Sequence, residues 1–384
     1  MPSSRTRTTH HNILDTLLVE INGESGRAVD QLRQMYRRYR IDDPDRTPDI
    51  RCFLSESEPQ PDQVLSYPQN HYARDEHSFV VRRGPNYVVI DPGWQQFVMN
   101  RSPGWEPYRT MYMVEFELRR RLLDDRQALI HASGVQYEGQ TILFPAWRSA
   151  GKTNTLFSLL LDGGNYLSDD RLWVGEDGAV QGFPTPVDIG PEQRESFPAL
   201  DTVDNDWEQR VEHFIDARVT PSRSFPEKLM AYLANQFASH DRTFRNLKSL
   251  VPGAEYVDEA TADAVVLLRA APKRESVSVE ELPASQVAKS LRAIHHYEWN
   301  GQLEEYAMAT DSLFPSADRT DTFETVRSAE EEIQTAFLES TPTYIARLPR
   351  TQVWNTTGIT TQVREAFRNL VSDTATEQPI QPGE

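Results

Sequence analysis

Residues 146–153, Ala146-Trp147-Arg148-Ser149-Ala150-Gly151-Lys152-Thr153, differ from the phosphate-binding loop pattern G-x-x-x-x-G-K-[ST] only at its first glycine. The apolar run Thr141-Ile142-Leu143-Phe144 before them predicts a buried strand. The run from Thr155 to Leu161 predicts a helix that ends at Gly163-Gly164. Strand, loop and helix therefore follow one another in the order that this motif requires.

A nucleotide is the ligand that the motif predicts. Successive backbone N–H groups in such a loop point at phosphate oxygens, and the helix N-terminus adds a partial positive charge. Lys152 supplies a full positive charge, and Thr153 offers a hydroxyl to a magnesium ion. The alternative is a chance match at the start of an ordinary helix.

Two adjacent carboxylates, Asp169 and Asp170, end the next predicted strand along the chain. A pair of acids just beyond the lysine helix can hold a metal ion and accept a proton from an attacking hydroxyl. The alternative is a solvated turn between two strands, where Asp-Asp is ordinary.

The composition excludes several classes of partner. Among 384 residues, 40 Lys and Arg stand against 58 Asp and Glu, and the net charge of −18 argues against nucleic-acid and membrane binding. The single cysteine, Cys52, excludes an intrachain disulfide and indicates a reducing compartment. No apolar run is long enough for a signal peptide or a membrane span, so we expect a soluble, cytoplasmic protein, with a homo-oligomer left open.

The chain is predicted to comprise four segments: a disordered 1–12, a small N-terminal α+β module over 13–125, a domain with the phosphate loop over 126–350, and a polar C-terminal tail over 351–384. Within the third segment, residues from about 191 to 263 are predicted to be a mostly helical insertion, with its clearest apolar face at 225–233. Such an insertion would form a lid or a packing layer.

Turn signals between short apolar stretches predict hairpins on both sides of the loop. Residues 129–135 pair with 140–144, and residues 171–174 pair with 179–183 across an Asp-Gly turn. Because these antiparallel pairs alternate with a single helix, we expect an α/β fold with a mixed sheet.

Farther along, a buried strand is predicted over 264–268, an edge strand over 277–282 and a final strand over 344–348. Helices are predicted over 28–39, 111–123 and 284–299.

The stretch from Ile130 to Pro186 resembles the HPr kinase/phosphorylase family, and more closely the HPr-kinase-related kinases. The matching segments, in family order, are His131-Ala132, Pro145-Ala146, Gly151-Lys152-Thr153 and Leu167-Ser168-Asp169-Asp170.

The resemblance implies a PEP-carboxykinase-like mixed sheet with a P-loop. It also implies an ATP-dependent phosphotransferase that moves the γ-phosphoryl group to a hydroxyl, as on serine, in an unidentified protein, peptide or metabolite. ATP and Mg²⁺ would be the cofactors. By the same resemblance Lys152 bridges the β- and γ-phosphates, Thr153 and Asp170 hold Mg²⁺, and Asp169 is the base with His131 beside it.

A second interpretation is a nucleotide-binding sensor or assembly module that has lost turnover. It is motivated by Ala146, which replaces the first glycine of the phosphate-loop pattern, and by Ser149, which stands where the family usually has glycine. A carboxykinase-like activity is discounted, because further substrate-binding arginines and a second metal site cannot be placed.

Several residues keep alternative interpretations. Arg148 could reach the γ-phosphate, and Arg171, Arg218 and Arg223 are candidates for a charge clamp or are surface residues. His131 could equally be a satisfied core residue. The pairs His10-His11 and His295-His296 lack acids or cysteines at ligand spacing, so no zinc site is proposed.

Overall fold

A computed structural model describes residues 7–23, 27–55, 57–65, 71–83, 86–100, 107–202, 243–351, 353–354 and 357–377. These residues divide into two units. The first unit contains the described residues up to Asp125 and those from His296 to Ala329, and the second contains the others. Helices and mixed sheets occur together, which confirms the expected α/β class.

The described strands of the first unit are β1 Arg7–Ile13, β2 Leu17–Gly23, β3 Arg40–Ile41, β4 Ile50–Ser55, β5 Gln63–Val64, β6 Tyr72–Asp75, β7 Ser78–Arg83, β8 Asn86–Ile90 and β9 Gln96–Asn100. They form one sheet in the order β3-β1-β2-β4-β9-β8-β7-β6-β5. The pairs β2–β4 and β4–β9 are parallel, and the other pairs are antiparallel.

The disorder expected over residues 1–12 is wrong for the part that the structure describes. Residues from Arg7 onward form β1, which pairs with β2 along its whole length. The alternate side chains of Thr9, His11 and Ile13 are buried, and His11 Nδ1 lies 2.8 Å from the Tyr36 carbonyl oxygen. A strand of polar residues is stable here because its inward-facing polar groups find partners.

The described α-helices are α1 Arg27–Met35, α2 Pro107–Leu122, α3 Lys152–Leu160, α4 Pro191–Ser196, α5 Leu247–Leu250, α6 Ala284–His295, α7 Gly301–Leu313, α8 Arg319–Ser340 and α9 Ile359–Glu377. The helix predicted to reach Trp299 ends as an α-helix at His295 and continues as the π-helical turn His296–Asn300. None of the described helices combines the length and the apolar character that crossing a membrane requires.

The described strands of the second unit are β10 Gln127–Ile130, β11 Ala132–Tyr137, β12 Gln140–Pro145, β13 Asn165–Ser168, β14 Leu172–Gly175, β15 Ala179–Gly182, β16 Val187–Ile189, β17 Thr243–Arg245, β18 Glu259–Thr261, β19 Ala264–Ala270, β20 Ser278–Glu281 and β21 Thr343–Leu348. Six of them form a mixed sheet in the order β13-β11-β12-β19-β21-β20, in which β12, β19 and β21 run parallel. Strands β10-β14-β15-β18 form an antiparallel sheet, and β16 pairs with β17.

The predicted hairpin over 129–135 and 140–144 is correct only in part. Strands β11 and β12 pair as expected, but the chain leaves one sheet at Ile130 and enters the other at Ala132. His131 is the single residue between them. Both flanking stretches are buried, so the sequence offers no polar alternation to mark the break.

The expected polar tail over 351–384 is wrong for residues 359–377, which form α9. Its apolar side chains Ile359, Val363, Phe367 and Leu370 recur at helical spacing and are buried. Phe367 meets Phe144 of β12 edge to face, with ring centroids 5.1 Å apart. Helix α9 therefore covers the part of the core that supports the loop.

The helical insertion expected over about 191–263 is largely untested, because residues 203–242 lie outside the described residues. The predicted helix face at 225–233 and the candidates Arg218 and Arg223 fall in that stretch. The described flanks hold the short helices α4 and α5 together with strands β16, β17 and β18. These flanks are therefore mixed and not mostly helical.

Replacement of Phe367 by alanine tests the packing of α9. Because Phe367 and Phe144 are both fully buried, Phe367→Ala should lower the free energy of unfolding by about 3–5 kcal/mol. Asn369→Ala, an exposed position on the same helix, should change it by less than about 0.5 kcal/mol. Denaturant titration measures both, and equal effects would contradict the packing described.

Candidate functional site

The loop between β12 and α3 contains two residues with left-handed backbone conformations, a feature that anion-binding loops share. Ser149 and Gly151 adopt left-handed conformations, with φ of 61° and 101°, and α3 begins at the next residue, Lys152. Alternation of left-handed residues with right-handed neighbours turns successive N–H groups toward one point. The Ala150 N–H donates to the Trp147 carbonyl at 3.0 Å, which closes the turn.

Gly151 is required for two reasons. Its φ of 101° disfavours side chains, and a Cβ atom there would lie 3.0 Å from both Leu348 Cδ1 and Trp354 Cζ2. The first position of the motif, by contrast, accommodates alanine. Ala146 continues β12 through a parallel bridge to Leu268, and its methyl group is fully buried, so alanine fits there as a core residue.

Lys152 lies at the centre of a charged cluster. Its ammonium donates to Asp170 Oδ1 at 2.6 Å and to His131 Nε2 at 2.9 Å. Arg171 Nε lies 3.7 Å from Asp170 Oδ2. The Lys152 side chain is 12% exposed and that of Asp170 is 44% exposed, so the cluster is open to solvent on the side of the carboxylate.

The two carboxylates have separate partners. Thr153 Oγ1 donates to Asp169 Oδ2 at 3.1 Å, whereas Asp170 accepts from Lys152. Both acids lie in a bend after β13, which Ser168 stabilises by accepting the N–H groups of Asp170 and Arg171.

This arrangement exchanges the expected neighbours of the two acids. The resemblance placed Asp170 with Thr153 and placed His131 beside Asp169. In the structure Asp169 contacts Thr153, and His131 Nδ1 lies 3.5 Å from Asp170 Oδ1. The reason is local, because the strand ends at Ser168 and the bend redirects both side chains.

His131 is buried and neutral. Burial, reinforced by the Lys152 charge, lowers its pKa to about 3. Because an ammonium can only donate, Nε2 must accept from Lys152, and the proton of the ring then lies on Nδ1, toward Asp170.

His295 fixes the position of His131 through a hydrogen bond to its backbone. The sequence alone did not indicate this contact. The His131 backbone N–H donates to His295 Nε2 at 2.9 Å, and Gln334 Nε2 donates to the Leu129 carbonyl at 2.8 Å. All these groups are buried. They hold the chain at the point where it passes from one sheet to the other.

The Asp170 carboxyl is strongly stabilised in its charged form. Desolvation alone would raise its pKa, but the neighbouring Lys152, His131 and Arg171 side chains together outweigh that effect and hold the pKa well below its usual range.

The remaining loop residues border a cavity of about 380 Å³. Trp147–Ala150 line one wall, and Leu268, Arg269, Ala270 and Arg350 line the rest. Arg269 and Arg350 were not predicted as site residues. The sequence contained a usable signal, since each arginine follows a predicted strand by one or two residues, and ligands bind at the carboxyl ends of parallel strands.

Comparison of the sequence with protein-family models and with curated proteins finds no match. The resemblance to HPr-kinase-related kinases therefore remains a prediction from the motifs.

The buried, neutral state of His131 predicts an acid-sensitive contribution to stability. The unfolded chain binds a proton at this residue near pH 6.5 and the folded chain only near pH 3, so stability falls as the pH is lowered through this window. Between pH 7 and pH 5 the loss from His131 should reach about 2 kcal/mol. In His131→Gln the loss over that interval should be smaller by this amount.

Urea titrations at the two pH values measure the difference. His77→Gln, at an exposed histidine, serves as the control and should retain the wild-type pH dependence. An unchanged pH dependence in His131→Gln would show that His131 is not held neutral.

Proposed function

We propose that this chain is an ATP-dependent phosphotransferase that moves the γ-phosphoryl group to an acceptor hydroxyl. We further propose that its second unit has a PEP-carboxykinase-like core of the HPr-kinase-related type. One observation carries the proposal. Lys152, Thr153, His131 and the two acids meet beside a loop with left-handed residues at Ser149 and Gly151. Catalysis of phosphoryl transfer depends mainly on positioning of the reactants and neutralisation of the phosphate charge.

Lys152 is the proposed ligand of the β- and γ-phosphates. In the structure its charge is balanced by Asp170 at 2.6 Å. Phosphate oxygens arriving at the loop would replace this carboxylate as the partner of Lys152. Asp170 would then lose the interaction that keeps its pKa low, and its basicity would rise as the donor binds.

Thr153 and Asp169 fit the requirements of Mg²⁺. The ion prefers hard oxygen ligands and is commonly held by one or two carboxylates together with substrate phosphates. The Thr153 hydroxyl and the Asp169 carboxylate, 3.1 Å apart, supply such oxygens. When bound, Mg²⁺ neutralises charge on the transferred phosphoryl group.

Asp170 is the proposed general base, in place of Asp169. Its side chain is 44% exposed, so an acceptor can reach it, whereas Asp169 is engaged by Thr153. The acceptor oxygen would form a bond to the γ-phosphorus while its proton passes to Asp170. The bond from the γ-phosphorus to the β,γ-bridging oxygen would break, and ADP would leave.

Removal of the Lys152 charge should weaken donor binding. Lys152→Ala is expected to weaken Mg-ATP binding at least about tenfold, because the phosphates lose a charge-assisted partner in the loop. Lys289→Ala, the same substitution at an exposed position of α6, should bind like the wild type. Calorimetry measures all three proteins, and a wild type that does not bind Mg-ATP would rule out the proposed function.

The two acids should respond differently to neutral replacement. Asp170→Asn should leave Mg-ATP affinity within a few-fold of wild type while slowing ADP formation about a hundredfold or more. Asp169→Asn should instead raise the Mg²⁺ concentration needed for ATP binding. Calorimetry and an ADP-release assay over a Mg²⁺ series separate these effects. The reverse pattern would restore Asp169 as the base and Asp170 as the metal ligand.

A sensor without turnover is the second candidate, and one observation favours it. Ser149 holds a left-handed conformation that costs a non-glycine residue about 1 kcal/mol. Tight Mg-ATP binding without phosphoryl transfer to water or to any serine peptide in a library would select this candidate.

A further inference from the structure

Three arginines, Arg148, Arg269 and Arg350, are among the residues that line the cavity beside the loop. Arg148 and Arg350 are exposed, and Arg269 is partly buried and anchored through its Nη2 to Ser290 Oγ at 3.0 Å. Among the described residues, none of the three forms an ion pair with a carboxylate. Three cations around one cavity repel one another, and this cost is offset when an anion binds between them.

The sheet order places this cavity and the carboxylates on opposite sides of β12. His131 precedes β11, and Asp169 and Asp170 follow β13, on one side. Because β11 is antiparallel to β12 and pairs Ala132 with Pro145, His131 lies at the loop end of that strand.

On the other side, β19 and β21 run parallel to β12, so their carboxyl ends lie at the same edge of the sheet. Arg269 is the last residue but one of β19, and Arg350 follows the end of β21 by two residues. The loop therefore separates an acidic side from a basic side.

In-line phosphoryl transfer would place the acceptor on one side of the loop and the leaving group on the other. The attacking and leaving oxygens stand on opposite sides of the γ-phosphorus. Lys152, the expected γ-phosphate ligand, contacts Asp170 and His131 on the acidic side. The acceptor hydroxyl must come from that side, where the base is, and the leaving diphosphate must extend away from it.

We propose that Arg269 and Arg350 bind the nucleoside-side phosphate of the donor, the α-phosphate that leaves with ADP. This inference rests on the proposed function, since it assumes that the loop holds the β- and γ-phosphates. Arg148, at the rim of the same cavity, contributes a third charge. The donor then lies across the ends of β19 and β21.

A pair of ligands that differ only in the nucleoside-side part tests the proposal. Inorganic pyrophosphate reaches the loop alone, whereas ATP also reaches the cavity. Arg269→Gln and Arg350→Gln, separately and together, should weaken Mg-ATP binding by about tenfold per arginine and change pyrophosphate binding by less than about twofold. Lys152→Ala should weaken both ligands. Arg274→Gln, an exposed arginine outside the cavity, should change neither.

The outcomes separate this inference from the proposed function. If the wild-type protein binds neither ATP nor pyrophosphate, both the proposed function and this inference are wrong. If the double arginine variant binds ATP as tightly as the wild type, the cavity does not bind the α-phosphate, and the proposed function is unaffected. Equal weakening of ATP and pyrophosphate also overturns that role, because the arginines would then serve the loop.

A further titration tests for an acceptor site in the cavity. Inorganic phosphate is added to full-length protein already saturated with a non-hydrolysable Mg-ATP analogue. Occupation of the cavity by the donor predicts no additional phosphate site that depends on Arg269 and Arg350. Detection of such a site would assign the arginines to an anionic group of the acceptor and overturn the proposal.

Discussion

Gly151 is the constraint on which the site depends. Its left-handed backbone caps the start of α3, and a Cβ atom at this position would lie 3.0 Å from side-chain atoms of both Leu348 and Trp354, which would have to shift. The direction of α3 sets the positions of Lys152 and Thr153 in its first turn. Those positions determine that Lys152 contacts Asp170 and that Thr153 contacts Asp169. Backbone geometry at one residue thereby determines the distribution of charge around the loop.

Local patterns predicted the parts of the site that are close in sequence. The strand before the loop and the helix after it appear where spacing predicted them. The two acids were predicted to end a strand, whereas β13 ends at Ser168 and both acids lie in the bend that follows. The neighbours of each acid could not be predicted, because they depend on the bend after Ser168. Arg269 and Arg350 were missed for a related reason, since parallel pairing alone brings the ends of β19 and β21 to the loop.

Both ends of the chain show how polar composition conceals ordered structure. Thr9 and His11 are polar yet buried in β1, where backbone and side-chain partners satisfy them. In α9, Val363 and Phe367 are separated by charged residues, and only their helical spacing marks a buried face. For α9, composition predicts a polar tail while the spacing of the apolar residues predicts a helix, whereas β1 has no apolar alternation that would mark it as a strand.

The acids and the arginines lie on opposite sides of β12, and this separation would orient the donor in the proposed reaction. Acids gather next to the strands that flank β12 on one side, and arginines gather at the ends of β19 and β21 on the other. Before a donor binds, the Asp170 charge is balanced by Lys152, so the base is weak while the loop lacks phosphate. Binding of phosphate would release that pair. Under the proposed function, the basicity of Asp170 would therefore depend on the presence of the donor, and proton removal from an acceptor would be limited when no phosphoryl group is available.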